Sequence, residues 1–244
     1  MGNVINVIKA TGEIEPFSEE KVISSLLRAG ASRQLAEDII AQTKPSLYQN
    51  IPTFEIYSTV MKILKKEQRP IAEKYNLKKA IMDLGPTGYP FEKFVAVVLQ
   101  ATGCQVATNK IVQGKCVSHE IDVIAQNKEK YMIECKFHGI PGGRTDIKVA
   151  LYTYARFLDV KDKGGFDIPW LITNTKLTQE VKTYALCVGM KVTAWDYPEG
   201  DSLNEMIDKS GLYPITASTT LPEQKKLELI EKGIVFSRDL SGKV

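Results

Sequence analysis

The chain has 244 residues, 43% of them hydrophobic and 25% charged, with a formal net charge of +3. That is an ordinary globular balance, long enough for one large domain or two smaller ones. No apolar run approaches the roughly 18–20 residues that cross a membrane, the opening MGNVINVIKATGE carries no secretory signal, and the slight basic excess permits nucleic-acid binding without arguing for it. A cytoplasmic protein is expected.

In chain order, residues 3–17 read as a β-hairpin, NVINVIKA and EIEPF around Thr11-Gly12. Ser18 suits a helix N-cap, with Glu19 and Glu20 in the first turn, where the helix dipole favours acids. Val22, Ile23, Leu26 and Leu27 then recur at helical spacing. Further helices are expected over about 32–43, 53–67 and 70–83, with Thr53 as an N-cap and Pro70 in a first turn. The helical half ends at LGPTGYP, residues 84–90, where Gly85 and Pro86 stop a helix.

After that boundary the periodicity changes. FEKFVAVVLQATG, residues 91–103, reads as an amphipathic helix, and CQVATNKIV, HEIDVIAQ and KYMIECKF as strands. A helix is expected over about 146–158, a strand over 168–174, a helix over 178–187, a strand over 191–197 and a helix over 202–209. This α/β order predicts a mixed sheet flanked by helices. We divide the chain into residues 1–84, 85–210 and a helical extension, 211–244, with one helix over about 221–232. Cys104, Cys116, Cys135 and Cys187 form no Cys-x-x-Cys pair, so free thiols are expected and not a zinc site.

Charges inside the expected strands point to chemistry. Side chains two apart on a strand share a face, so Glu120 and Asp122 share one, as do Glu134 and Lys136, while Ile133, Cys135 and Phe137 point the other way. Paired as a hairpin, these strands bring the four charges to one surface. Carboxylates so placed make a hard-oxygen site for Mg²⁺. A lysine beside them can orient a water and stabilise phosphate charge, the chemistry of phosphodiester hydrolysis. Cys135 is read as core packing, and His119 and His138 as ordinary surface flanking the core.

Ile121-Asp122 followed by Glu134-Cys135-Lys136 resembles the D…(D/E)xK core of the restriction-endonuclease-like superfamily, with isoleucine where a proline often stands. Tyr89-Pro90-Phe91-Glu92-Lys93 resembles the Phe-Glu start of the first helix in Mrr-type restriction endonucleases. The later helix has Tyr152 and Tyr154 but not the glutamine of the Gln-x-x-x-Tyr that many Mrr-like proteins show. The resemblance implies a catalytic set of Glu92, Asp122, Glu134 and Lys136, with Asp122 and Glu134 holding Mg²⁺ or Mn²⁺, DNA as substrate and 5′-phosphate product ends.

Residues 7–21 resemble the start of the ATP-cone, a regulatory nucleotide-binding domain built as a β-hairpin over a helical bundle: Val7, Lys9, Gly12, Phe17 and Lys21 match, and Ala10 stands where arginine is usual. The resemblance implies that Val7, Lys9, Glu15, Phe17 and Lys21 bind ATP or dATP, and that the protein forms a dimer or higher homo-oligomer. The first helix N-terminus and the two lysines supply positive potential for a polyphosphate. The fused architecture is one seen in bacteria. The tail LPEQKKLELIEKGIVFSRDL has the leucine spacing and Gly233 of half a helix-hairpin-helix, or is a terminal helix packed on the nuclease sheet. The rival reading is a nucleotide-sensing DNA-binding regulator without cleavage, against which the paired acids speak, because they would repel phosphate.

Overall fold

The computed structural model describes residues 4–240; the first residue of the expected hairpin and the last four of the tail lie outside them. The chain divides into two compact units. The first runs through Lys79 and takes back Ala217–Leu221; the second holds Ala80–Thr216 and the chain from Pro222 on.

In the first unit β1 (Asn6–Ile8) pairs antiparallel with β2 (Ile14–Pro16). Gly12, at φ 81, turns the chain between them, a conformation that costs glycine little. Helix α1 (Glu19–Arg28) starts as its sequence predicts, with the Ser18 hydroxyl accepting the Lys21 N–H at 3.3 Å. After α2 (Arg33–Thr43) a two-residue strand, β3 (Ile51–Pro52), lies parallel to β1 and completes the order β2-β1-β3. Pro52 takes the N-cap place expected of Thr53, which instead begins α3 (Thr53–Glu67). The helix expected over 70–83 is two, α4 (Arg69–Tyr75) and α5 (Leu77–Met82), and the unit division falls inside α5. Ile23, Leu26, Ile39, Ile40, Val60 and Leu64 are the centre of the apolar cluster. The returning segment is tied in by Thr219, whose N–H and hydroxyl both donate to Glu73 Oε1 at 3.2 Å.

The second unit opens with α6 (Tyr89–Ala101) and continues with β4 (Gln105–Gln113), β5 (Ser118–Gln126), β6 (Lys130–Lys136) and the short β7 (Arg144–Thr145). Then come α7 (Ile147–Gly164), β8 (Ile168–Thr173), β9 (Lys176–Leu177), α8 (Gln179–Val188) and β10 (Lys191–Thr193). The sheet order is β10-β8-β6-β5-β4, with the β4–β5 and β5–β6 pairs antiparallel and the β6–β8 and β8–β10 pairs parallel. Mixed pairing of this kind needs a helical crossover between parallel strands, which α7 and α8 supply. Helix α9 (Leu203–Ser210) closes with Gly211 left-handed, and α10 (Glu223–Glu231) leads to Phe236, whose ring stacks on Phe94 of α6 with centroids 5.0 Å apart. Lys93 of α6 donates to the Gly233 carbonyl at 2.7 Å, so residues 222–236 pack on α6. All four cysteines are free: Cys104 and Cys135 are buried, Cys116 and Cys187 exposed. Among the described residues no helix is long and apolar enough to cross a membrane.

Candidate active site

Asp122 sits where the sheet's hydrogen bonding is interrupted on both sides. Toward β6 the ladder runs from Gln126↔Lys130 to Val123↔Ile133 and stops. The next rung would set Asp122 directly against Glu134, and like charges directly opposite destabilise a sheet. The Cys135 N–H donates instead to Asp122 Oδ2 at 2.8 Å. Strand β6 keeps its other edge on β8 through Glu134↔Leu171 and Lys136↔Thr173, so it stays in the sheet while parting from β5. Toward β4 the ladder skips one rung, between Thr108↔Val123 and Lys110↔Ile121. The skipped residue, Asn109, is left-handed at φ 50, and its Nδ2 donates to Glu92 Oε2 at 2.9 Å.

Glu92 lies in the first turn of α6, which Pro90 helps to start. Gly88 precedes that turn, and a Cβ there would stand 3.2 Å from Glu92 Oε1. Glu134 forms an ion pair through Oε2 with Arg156 Nη1, and Arg156 Nη2 donates to the Glu120 carbonyl. Arg156 is 8% exposed, its guanidinium lies 5.2 Å from the centre of the Tyr152 ring, and its Nε–H is buried with no partner. Lys136 is exposed at the end of β6 and makes no ion pair among the described residues. The predicted set Glu92, Asp122, Glu134 and Lys136 therefore converges at the parting of β5 and β6.

The electrostatics express that convergence. Burial is the first cause raising the carboxyl pKa of all three acids. For Glu134 burial is joined by the Asp122 and Glu92 charges, opposed by Arg156 and Lys136, and the result is about 7. Asp122 is also raised, with the Cys135 N–H and Arg156 opposing. Burial also drives the Cys135 thiol well above its ordinary range, so it is packing and not a nucleophile.

A carboxyl whose folded pKa is raised contributes stability at low pH that is lost as pH rises through the folded value. Glu134, moved from 4.5 to about 7, should make the metal-free protein lose stability between about pH 4.5 and 7. Asp159, held far below the carboxylate range chiefly by His119, titrates outside that window. His138, whose pKa burial lowers, works the other way in this window, so the effect is read as a difference: between pH 5.5 and 8 denaturant unfolding should show the wild type losing more stability, or gaining less, than Glu134→Gln.

Two contributors escaped the sequence reading. Arg156 falls on the buried stripe of α7 with Ala150, Thr153, Phe157 and Val160, and a charge on that stripe was the available signal. Asn109, a left-handed-tolerant residue inside a strand run, was the other. The histidines are not ordinary surface. His119 Nε2 meets Asp159 Oδ2 at 2.8 Å, and the same carboxylate accepts the Cys116 and Val117 N–H groups, clamping the β4–β5 turn to α7. His138 Nε2 lies 3.0 Å from Thr145 Oγ1, and its backbone N–H donates to Asn174 Oδ1. Burial first, then Lys136, lowers its pKa.

Asp122 and Glu134 offer hard oxygens suited to Mg²⁺ or Mn²⁺. Each of the three acids has one oxygen held by a protein donor: Glu92 Oε2, Asp122 Oδ2 and Glu134 Oε2. The second oxygen of each makes no protein hydrogen bond among the described residues, and a cation there would relieve the mutual repulsion. Among the described residues no group of three or more His, Cys, Asp or Glu side chains is already drawn together around a cation position. The donor chemistry fits a divalent cation, with Glu134 held by Arg156.

In the first unit Val7 is buried with Ile51 and Ile56, and Phe17 packs against them. Lys9 Nζ lies 2.7 Å from Glu15 Oε2 and Lys21 Nζ 2.9 Å from Glu15 Oε1, so the three charged residues expected at nucleotide form one triad. Hydrogen bonds from Lys9 and then Lys21 lower the Glu15 pKa, and those to Glu15 and Glu13 raise that of Lys9.

A family model described as the ATP cone domain matches residues 5–81, and one described as restriction endonuclease matches residues 86–207. An uncharacterised protein of Archaeoglobus fulgidus is 50% identical over 147 residues, which are 60% of this chain and 83% of that protein. A crystal structure of a protein of unknown function superimposes with a TM-score of 0.56 at 49% identity, covering 63% of this chain and 82% of that one. The matched relative is archaeal, where the resemblance had pointed to bacteria.

Proposed function

Because the chain belongs to the restriction endonuclease family and carries an ATP-cone before its catalytic domain, we propose that it is a metal-dependent DNA endonuclease controlled by adenine nucleotide. The observation that carries this reading is the parting of β5 and β6 at Asp122 and Glu134, with Lys136 on the same strand as Glu134. Asp122 and Glu134 would hold Mg²⁺ or Mn²⁺, with Glu92 supporting. When bound, that cation would polarise a phosphate oxygen and acidify a water. Lys136, exposed beside Glu134, positions the attacking water and offsets charge gathering on the phosphate. Glu92 holds the water or cation from the α6 side. Asp122 is fixed by the Cys135 N–H and Glu134 by Arg156, so neither has to be ordered during the reaction. The product carries a 5′-phosphate.

Plasmid DNA should be cut with Mg²⁺ and left intact with EDTA; DNA bound but never cut under any divalent ion would favour the rival, a DNA-binding regulator. One active site cuts one strand, so double-strand cleavage requires two copies, and the protein works as a dimer or larger assembly.

The nucleotide site is Val7, Lys9, Glu15, Phe17 and Lys21. Apolar Val7 and Phe17 suit a base, and Lys9 and Lys21 a polyphosphate that replaces Glu15 as their counter-charge. Lys9→Ala and Lys21→Ala should each weaken ATP or dATP binding roughly tenfold or more by calorimetry, since charge-assisted phosphate contacts are among the stronger hydrogen bonds. No binding of either nucleotide by the wild type would remove the regulatory half of the reading.

A further inference from the structure

We propose that Asn109 is a positioning residue, whose side-chain amide fixes the Glu92 carboxylate for a divalent cation; this rests on the metal site proposed above. Three observations converge on it. Asn109 Nδ2 donates to Glu92 Oε2 at 2.9 Å, joining β4 to the first turn of α6 across 17 residues of sequence. Its backbone is left-handed, φ 50, inside an otherwise continuous strand, at the one skipped rung and facing Asp122. On the other side of the carboxylate, Gly88 leaves open the space that a Cβ would take 3.2 Å from Glu92 Oε1. One oxygen is held and the other has room.

The kink by itself does not call for asparagine. Glycine adopts positive φ at no steric cost and would serve a bend better. What asparagine adds is the amide, and the amide is spent on Glu92. Strained non-glycine backbone in a strand persists where the surroundings hold it in place, and here they hold a donor against a carboxylate that burial and the Asp122 and Glu120 charges disfavour. Donors behind a ligating carboxylate orient it, and their loss typically costs 10–100-fold in metal affinity or activity.

Asn109→Gly separates the two roles, because it keeps the left-handed backbone and deletes the amide. Mn²⁺ binding is measured by calorimetry on the full-length wild type, Asn109→Gly, Glu92→Gln and the double variant, with thermal unfolding alongside. The expected result is an Asn109→Gly protein that melts with the wild type and binds Mn²⁺ roughly 10–100-fold more weakly, with little further loss in the Glu92→Gln background. Wild-type affinity in Asn109→Gly overturns the assignment, as does an equal loss with and without Glu92, which would place its action elsewhere. A wild type that takes up no Mn²⁺ overturns the metal site itself, and this assignment with it.

Discussion

Asp122→Asn and Glu134→Gln should each abolish Mg²⁺-dependent cleavage in a protein that still folds, Asp122→Asn as stably as before or more so. Both substitutions keep the protein hydrogen bonds. An asparagine oxygen can still accept the Cys135 N–H, and a glutamine oxygen the Arg156 guanidinium. What they remove is the charge that a divalent cation needs. The loss of activity should exceed the roughly 10–100-fold that an outer-shell partner costs, because these are the proposed ligands themselves. Stability should not fall in Asp122→Asn, since burial already pushes that carboxyl upward and an uncharged amide escapes that cost above neutral pH, whereas Glu134→Gln keeps the hydrogen bond but leaves the buried Arg156 charge unbalanced and is the less stable of the two. Alanine is the poorer probe at Glu134, because it strands a buried guanidinium. The check is plasmid cleavage paired with thermal unfolding at pH 8. Wild-type cleavage by both variants would place the chemistry elsewhere.

The second large effect is on stability. Arg156→Met should destabilise the protein by about 3–5 kcal/mol, the usual cost of breaking a buried pair from one side. The side chain is 8% exposed and Glu134 would be left buried with only Lys136 nearby to offset its charge. For a chain of this size that is roughly a 6–20 °C fall in Tm. The cost should shrink toward pH 6, where Glu134 takes up a proton in place of the guanidinium. Arg156→Met with Glu134→Gln should recover most of it, because the pair then leaves no uncompensated charge behind. Calorimetric unfolding of the single and double variants at pH 6 and 8 measures both. A single variant as stable as the wild type at pH 8 would show that Glu134 is not a buried carboxylate in need of a partner.

Much of the second unit was legible because its signals are local. Strand alternation put Asp122, Glu134 and Lys136 on faces that the register then brings to one place, and hydrophobic spacing located α6 within two residues at each end. What escaped depends on contacts distant in sequence. The three strands expected to be ordinary β4, β5 and β6 carry two broken rungs around Asp122, which no periodicity reveals. Arg156 is 22 residues from Glu134 and meets it only through the crossing of α7 over the sheet. Strand β3 has two residues, too few for alternation to show. The strand expected over 191–197 stops at Thr193 because the chain turns, with Ala194 bridging to Tyr197. Helix α7 runs to Gly164, past the expected 158, until Gly165 closes it in the left-handed conformation.

The most direct test of the proposed metal site is anomalous diffraction from crystals of the wild-type protein with Mn²⁺. The account predicts a peak bounded by Asp122 and Glu134, with Glu92 at its edge and Lys136 reaching toward the same space. It also predicts that Arg156 stays on the far oxygen of Glu134. A manganese peak elsewhere in the chain, with the space between Asp122 and Glu134 empty, would contradict it.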